Sequence, residues 1–113
     1  MKVCELKPEL KKIELLIKAG EVLAPRQIVL PSDSLFHNVC DALVGDESGC
    51  VYLSLWDENI FNVQAGKYYK VSNAYTTIYR NSLRLNTGKY GKISPCEGSF
   101  EIDTSNNLSL KEI

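Results

Sequence analysis

In "CVYLSLW", residues 50–56, apolar positions recur every second residue. Val51, Leu53 and Leu55 fall on one side, and Tyr52, Ser54 and Trp56 on the other. A period of two marks a strand with one buried face. "LFHNVCDALVG" before it reads as a partner strand, and "GDESG" between them supplies a hairpin turn. That pairing sets Cys40 roughly opposite Leu53 or Ser54. "KYYKVSNAYTTIY" and "NSLRLNTG" form the next hairpin, turning near Arg80 and Asn81. There Leu83 and Leu85 serve the core, which sends Ser82, Arg84 and Asn86 outward. "IELLIKAGEVL" is rich in aliphatic and β-branched residues, and Gly20 is unhelpful inside a helix. It reads as a long strand bent at Ala19 and Gly20. Helix periodicity competes only weakly, in "PELKKIELLIK".

The other segments are less regular. "APRQIVLPSDS", bounded by Pro25 and Pro31, reads as a loop, and "DENIFNVQAG" as a connection with room for one helical turn, ending at Gly66. "GKYGKISPCEG" reads as irregular, and "SFEIDTSNNLSLKE" as two short final strands around Asn106 and Asn107. Some five strands, the first long and bent, with a longer link between the third and fourth, predict an all-β protein. A five-stranded Greek-key β-barrel of the oligonucleotide-binding type, the OB-fold, fits that order. An SH3-like barrel or a small sandwich is the alternative on pattern alone. Residues 1–113 carry no repeat and no interdomain linker, so a single domain is expected.

Composition changes this picture little: 44% hydrophobic and 24% charged residues are ordinary for a soluble globular chain. No apolar run has the length needed to cross a bilayer, and "MKVCELKPELKK" lacks the features of a signal peptide. The expected location is intracellular rather than secreted, with nucleus and cytoplasm both open and no membrane partner. Charge changes the picture more. The net charge is -1, yet no Asp or Glu occurs between Asn59 and Cys96, where Lys67, Lys70, Arg80, Arg84, Lys89 and Lys92 all lie. A basic third on an acidic body predicts a local positive surface despite the unremarkable net charge.

The outward residues give that surface its chemistry. Trp56, the only tryptophan, shares a strand face with Tyr52. Its plain structural reading is a cap on one end of the barrel; its functional reading is a flat aromatic platform. In "NAYTTIY", Tyr75, Thr77 and Tyr79 share one parity, so both rings project from one face. Rings interleaved with Arg84 and small polar groups such as Ser54, Thr77 and Ser82 suit an unpaired nucleic-acid strand. Each ring offers a π face to a base, and cations such as Arg84 and Lys89 track phosphates. Tyr90, in "GKYGK", is a further candidate to close over a bound strand, as is Tyr52. Single-stranded RNA fits as well as DNA, since stacking does not require the absence of a 2′-hydroxyl.

Catalysis finds little support. His37 is the only histidine, and no glycine-rich segment has the Walker pattern. Cys4, Cys40, Cys50 and Cys96 are too scattered for a zinc site and read as free thiols. No catalytic residue, metal or cofactor is expected.

From Asp41 to Ser94 the sequence resembles the simple single-stranded-DNA-binding OB-fold proteins of archaea and their eukaryotic relatives. Those relatives include the B subunit of the SOSS sensor complex and small plant OB-fold proteins. The resemblance rests on "GDESG", on "LSLWDE" with its tryptophan, and on "NAYTTIYRNSLRLNTG". "LKPEL" and the terminal "SFEIDTSNNLSLKEI" extend it. It implies that Trp56, Tyr75 and Tyr79 stack bases, that Arg84 and Ser82 face the bound strand, and that no metal or catalytic step is involved. Three features depart from the family. "APRQIVLPSDS" is unusually apolar at Ile28, Val29 and Leu30, as a lid, a protein-contact loop or a disordered excursion. The Gly-rich tail through which relatives recruit partners is absent from this sequence, and the overall charge is acidic. Two functions follow: a single-strand-binding module without strong sequence preference, or a protein-interaction OB-fold subunit of a repair or replication assembly.

Overall fold

The computed structural model describes residues 1–87 and 90–111. Its strands are β1 (Ile13–Val22), β2 (Arg26–Val29), β3 (Phe36–Asp46), β4 (Gly49–Trp56), β5 (Tyr68–Tyr79), β6 (Ser82–Asn86) and β7 (Lys92–Cys96). Five of them close a ring in the order β1-β3-β4-β6-β5, with β5 returning to β1. The long first strand makes that closure. Ile13 to Lys18 pair with β5, Lys18 to Val22 pair with β3, and a register shift between Ala19 and Val22 carries the bend. Every neighbour in the ring is antiparallel except β4 and β6, which run parallel. This is the Greek-key OB-fold barrel expected from the strand order.

Alternation fills the barrel. Ile17, Ala42, Val44, Val51, Leu53, Leu55, Val71 and Leu85 are wholly inaccessible to solvent. Each large aliphatic side chain buried this way contributes about 1.5–3 kcal/mol. The β3–β4 hairpin closes through Glu47 and Ser48 alone, because Asp46 pairs with Gly49. So tight a loop places Cys40 opposite Leu55, one position beyond the range expected. All four cysteines are free. Burial pushes the Cys40 and Cys50 thiols above their ordinary range, away from the reactive thiolate.

On β5 the inward parity changes from Tyr69 and Val71 to Ala74 and Thr76. Asn73, with φ 52°, sits between the two sets as a bulge. This local turn of the chain sends Tyr75, Thr77 and Tyr79 outward. The β5–β6 hairpin then turns through Arg80 and Asn81, both at positive φ as a two-residue primed turn requires.

Three expectations are corrected. Residues 26–29 of the proline-bounded loop form β2, paired with Phe36–Val39 at the start of β3. Alternating side chains between Pro25 and Pro31 allow an edge strand, because each proline lies outside the ladder. Residues 92–96 form β7 on β5, with Pro95 tolerated because β7 is itself an edge. The two final strands are absent among the described residues: Leu108–Leu110 is a 3-10 turn, and only Asn107 makes an isolated bridge, to Cys50. The β4–β6 ladder spans just three residue pairs, and the Ser109 hydroxyl extends it. That hydroxyl accepts from the Tyr52 N–H at 2.9 Å and donates to the Leu83 carbonyl.

Candidate nucleic-acid interface

Trp56, Tyr75 and Tyr79 all lie outside the hydrophobic core. Trp56 and Tyr75 are half-buried, and Tyr79 is 45% exposed. The tryptophan does not plug the barrel. It ends β4 on the outer face, where the next residue, Asp57, turns the chain at φ 48° into the 3-10 segment Asp57–Asn62.

Trp56 and Tyr79 line one groove of about 280 Å³. Its floor is built from Ser54, Thr77, Arg84 and Asn86 on β4, β5 and β6, and its wall from Arg26, Ile28 and Leu30. Strand pairing explains the floor, since Arg84 stands opposite both Tyr52 and Thr77, and Asn86 opposite both Ser54 and Tyr75. The Asn86 amide donates to Thr77 Oγ1 at 2.9 Å, which fixes two of these groups against each other.

Tyr75 belongs to a second hollow of about 420 Å³, shared with Tyr90, Lys11, Lys12 and Asn73. Tyr75 pairs with the floor residue Asn86, so the two hollows adjoin across the β5–β6 ladder. Tyr90 is 74% exposed and stands at this second hollow, as its position in the sequence allowed. Larger hollows, of about 650 and 620 Å³, lie elsewhere and hold none of the three rings.

Of the polar candidates, Ser54, Thr77 and Arg84 line the groove. Ser82 does not: its hydroxyl donates to the Ser109 carbonyl at 2.6 Å, beneath the terminal turn. Lys89 lies outside the described residues. Tyr52 is half-buried and lies under Arg84, whose guanidinium carbon is 5.1 Å from the ring centroid.

The positive surface is not one patch. Lys67 and Lys70 line the two larger hollows, away from the groove, while Arg80 packs 5.3 Å over the Tyr79 ring. Within the groove the charge is balanced from beneath. Asp41, which is buried, stands 2.8 Å from Arg84 Nη1 and 3.2 Å from Arg26 Nη1. The Arg26 contact is an aligned hydrogen bond; the Arg84 contact is an ion pair without that alignment. This carboxylate was invisible in the strand pattern, as was Arg26 once its segment was read as a loop; Ile28 and Leu30 stood out only as an apolar departure, with a lid among its readings. The alternation Arg26-Ile28-Leu30 between two prolines was the available signal.

His37 braces the platform from the β3 side. Its Nδ1 lies 2.8 Å from Asp57 Oδ2, its Nε2 2.8 Å from Asp33 Oδ2, and its ring meets Trp56 edge-on at 6.5 Å between centroids. The hydrogen bond to Asp57, then that to Asp33, raises the imidazole above its ordinary range. Asp57 is lowered chiefly by His37, and Asp33 first by the Leu35 N–H and then by His37. Beyond them, Val29, Leu35 and Phe36 stand exposed around the far end of the β2–β3 hairpin, Phe36 to 71%. No group of three metal-ligating side chains occurs among the described residues, nor a helix long and apolar enough to cross a membrane.

Comparison with known proteins agrees with the fold. A family model described as single-stranded DNA binding protein Ssb-like, OB fold, matches residues 6–95. The single-stranded DNA binding protein Ssb of Saccharolobus solfataricus is 32% identical over 93 residues, which cover 82% of this chain and 62% of that protein. The chain thus spans less than two thirds of that relative's length. The solution structure of a hypothetical protein from Arabidopsis thaliana superposes with a TM-score of 0.82 at 27% identity, covering 99% of this chain and 83% of its own. The second OB-fold domain of replication protein A from Methanococcus maripaludis shares the fold, with a TM-score of 0.69 at 22% identity over 89% of this chain and 98% of its own.

Proposed function

We propose, on the premise that this chain belongs to the Ssb-like single-stranded-DNA-binding OB-fold family, that it holds unpaired nucleic acid by stacking bases in the groove between Trp56 and Tyr79. The observation that carries this reading is the pairing of those two rings over one polar floor, outside the core. A base entering there exchanges hydration of two flat apolar faces for ring contact, worth about 1–3 kcal/mol per base, and any base provides such a face. Binding is therefore without strong sequence preference, and DNA and RNA both fit the rings. Tyr75 and Tyr90 extend the track into the neighbouring hollow, where Lys11 and Lys12 are placed for phosphates. Ser54 and Thr77 give polar contacts in the groove, and Ser82 and Lys89, the latter outside the described residues, remain candidates for polar contacts. The protein acts by binding, with no catalytic step and no cofactor.

Fluorescence anisotropy of a labelled oligo-dT tests this. Wild type binds at low salt, and Trp56→Ala weakens binding by about one stacking contribution. No binding at low salt excludes the reading.

A second reading has its own observation. Val29, Leu35 and Phe36 give the β2–β3 hairpin an exposed apolar end beside the groove. Such an end is a docking surface for a protein subunit of a repair or replication assembly. Retained oligonucleotide affinity in Phe36→Ser separates that role from base stacking.

A further inference from the structure

We propose that Ile28 and Leu30 form an aliphatic wall at which one position of a bound strand favours thymine, through its C5-methyl group. This rests on the single-strand reading above and adds a modest selectivity to it.

Strand pairing decides which side chains of β2 reach the groove. Arg26 pairs with Val39 and Ile28 with His37, and cross-strand partners share one face of a sheet. Leu30 continues the parity of Arg26 and Ile28, and all three line the groove with Trp56 and Tyr79. Val29 and its partner Phe36 take the opposite face of the hairpin. Neither Ile28 nor Leu30 packs against the barrel core. Val39 beside them is closed to solvent, whereas Ile28 and Leu30 are only half-buried and keep surface that a ligand can reach. The groove therefore sets accessible aliphatic side chains, which the core does not use, next to its two rings.

Chemistry selects what covers that wall. A phosphate or a sugar hydroxyl set against it loses hydration and gains no hydrogen bond. A strand stacked on Trp56 and Tyr79 keeps its backbone toward water and turns a base edge to Ile28 and Leu30. Among the groups that DNA bases present on their major-groove edges, the C5-methyl of thymine alone is aliphatic. The others are donors and acceptors, which Ile28 and Leu30 leave unpaired. Uracil has the same hydrogen-bonding edge as thymine without the methyl, and so leaves the wall uncovered. Stacking elsewhere stays tolerant of sequence, and the preference belongs to the one position beside the wall.

Anisotropy titrations with oligo-dT and oligo-dU of one length, at one salt concentration, test the inference. The two ligands differ only in the methyl groups. Wild type binds oligo-dT about fourfold more tightly, the worth of one buried methyl-sized group. Ile28→Ala and Leu30→Ala each lower oligo-dT affinity more than oligo-dU affinity and narrow the gap to within about twofold. Val29→Ala, on the other face of the same strand, keeps the full gap. In the unmodified protein, NMR shows magnetisation transfer between thymine methyl protons and the methyl groups of Ile28 or Leu30, so the test does not depend on a variant folding. Equal binding of the two ligands by wild type overturns the inference while the stacking reading stands. So does a gap that survives undiminished in both wall variants, because the methyl then acts through ring stacking, and so do thymine methyls that meet neither side chain. Failure to bind either oligonucleotide overturns both readings.

Discussion

His37 Nδ1 lies 2.8 Å from Oδ2 of Asp57, the residue that follows Trp56. A second carboxylate, Asp33, takes Nε2 at the same distance. Carboxylates only accept, so both ring nitrogens are satisfied together only when both carry protons. The imidazolium thus ties the β2–β3 turn, through Asp33, to the end of β4 that carries Trp56.

A pH dependence follows. The folded value of His37 is raised, so its contribution is complete below the ordinary histidine value of about 6.5 and is lost as pH rises through the raised one. Asp33 and Asp57 are lowered, so theirs is complete above about 4 and is lost as pH falls further. Between those limits the brace is whole. Trp56 emission should titrate with a midpoint above about 6.5, and His37→Gln should abolish the transition. Emission that stays flat from mildly acidic to mildly alkaline pH contradicts the brace.

The rings should behave as two pairs. Tyr79→Ala is expected to cost about 1–3 kcal/mol of oligonucleotide affinity with little change in melting temperature, since the ring is outside the core. Tyr75→Ala should matter for longer oligonucleotides and little for the shortest ones, because Tyr75 serves the second hollow. Equal losses for Tyr75→Ala and Tyr79→Ala at every length would place both rings on one contact.

Much of this was legible in the chain, for identifiable reasons. Val51, Leu53 and Leu55 face a buried interior while their neighbours do not, so period two alone fixes the orientation of Trp56. Tyr75 and Tyr79 were placed outward because their segment is short and regular after Asn73; the bulge itself leaves no mark in a binary pattern. β2 was missed because prolines at positions 25 and 31 punctuate like a loop, which outweighed the brief alternation of a four-residue edge strand. Asp41 was missed for a different reason. A carboxylate on an outward position reads as solvated, and only the closed sheet brings Arg26 and Arg84 onto it.

Asp41→Asn tests that hidden charge. Removing it leaves Arg84 in the floor without its counter-ion, and a loss of about 1–3 kcal/mol in stability is expected from chemical denaturation. Oligonucleotide affinity at low salt should rise at the same time, because one negative charge has left the groove. A fall in affinity in a folded variant would show that Asp41 serves mainly to position Arg84.

Asn73 tests how the outer face is made. Its φ of 52° suits Asn or Gly and penalises a β-branched residue. Asn73→Val should cost about 1–2 kcal/mol and weaken binding through Tyr75, whereas Asn73→Gly should be tolerated. Equal stability of the two variants would mean the bulge is not fixed by this residue.

The most direct test of the whole account is the emission of Trp56, the chain's one indole, during titration with oligo-dT at low salt. Stacking in the groove predicts saturable quenching that Tyr79→Ala weakens. An unchanged spectrum, at oligonucleotide concentrations where binding is independently complete, contradicts it.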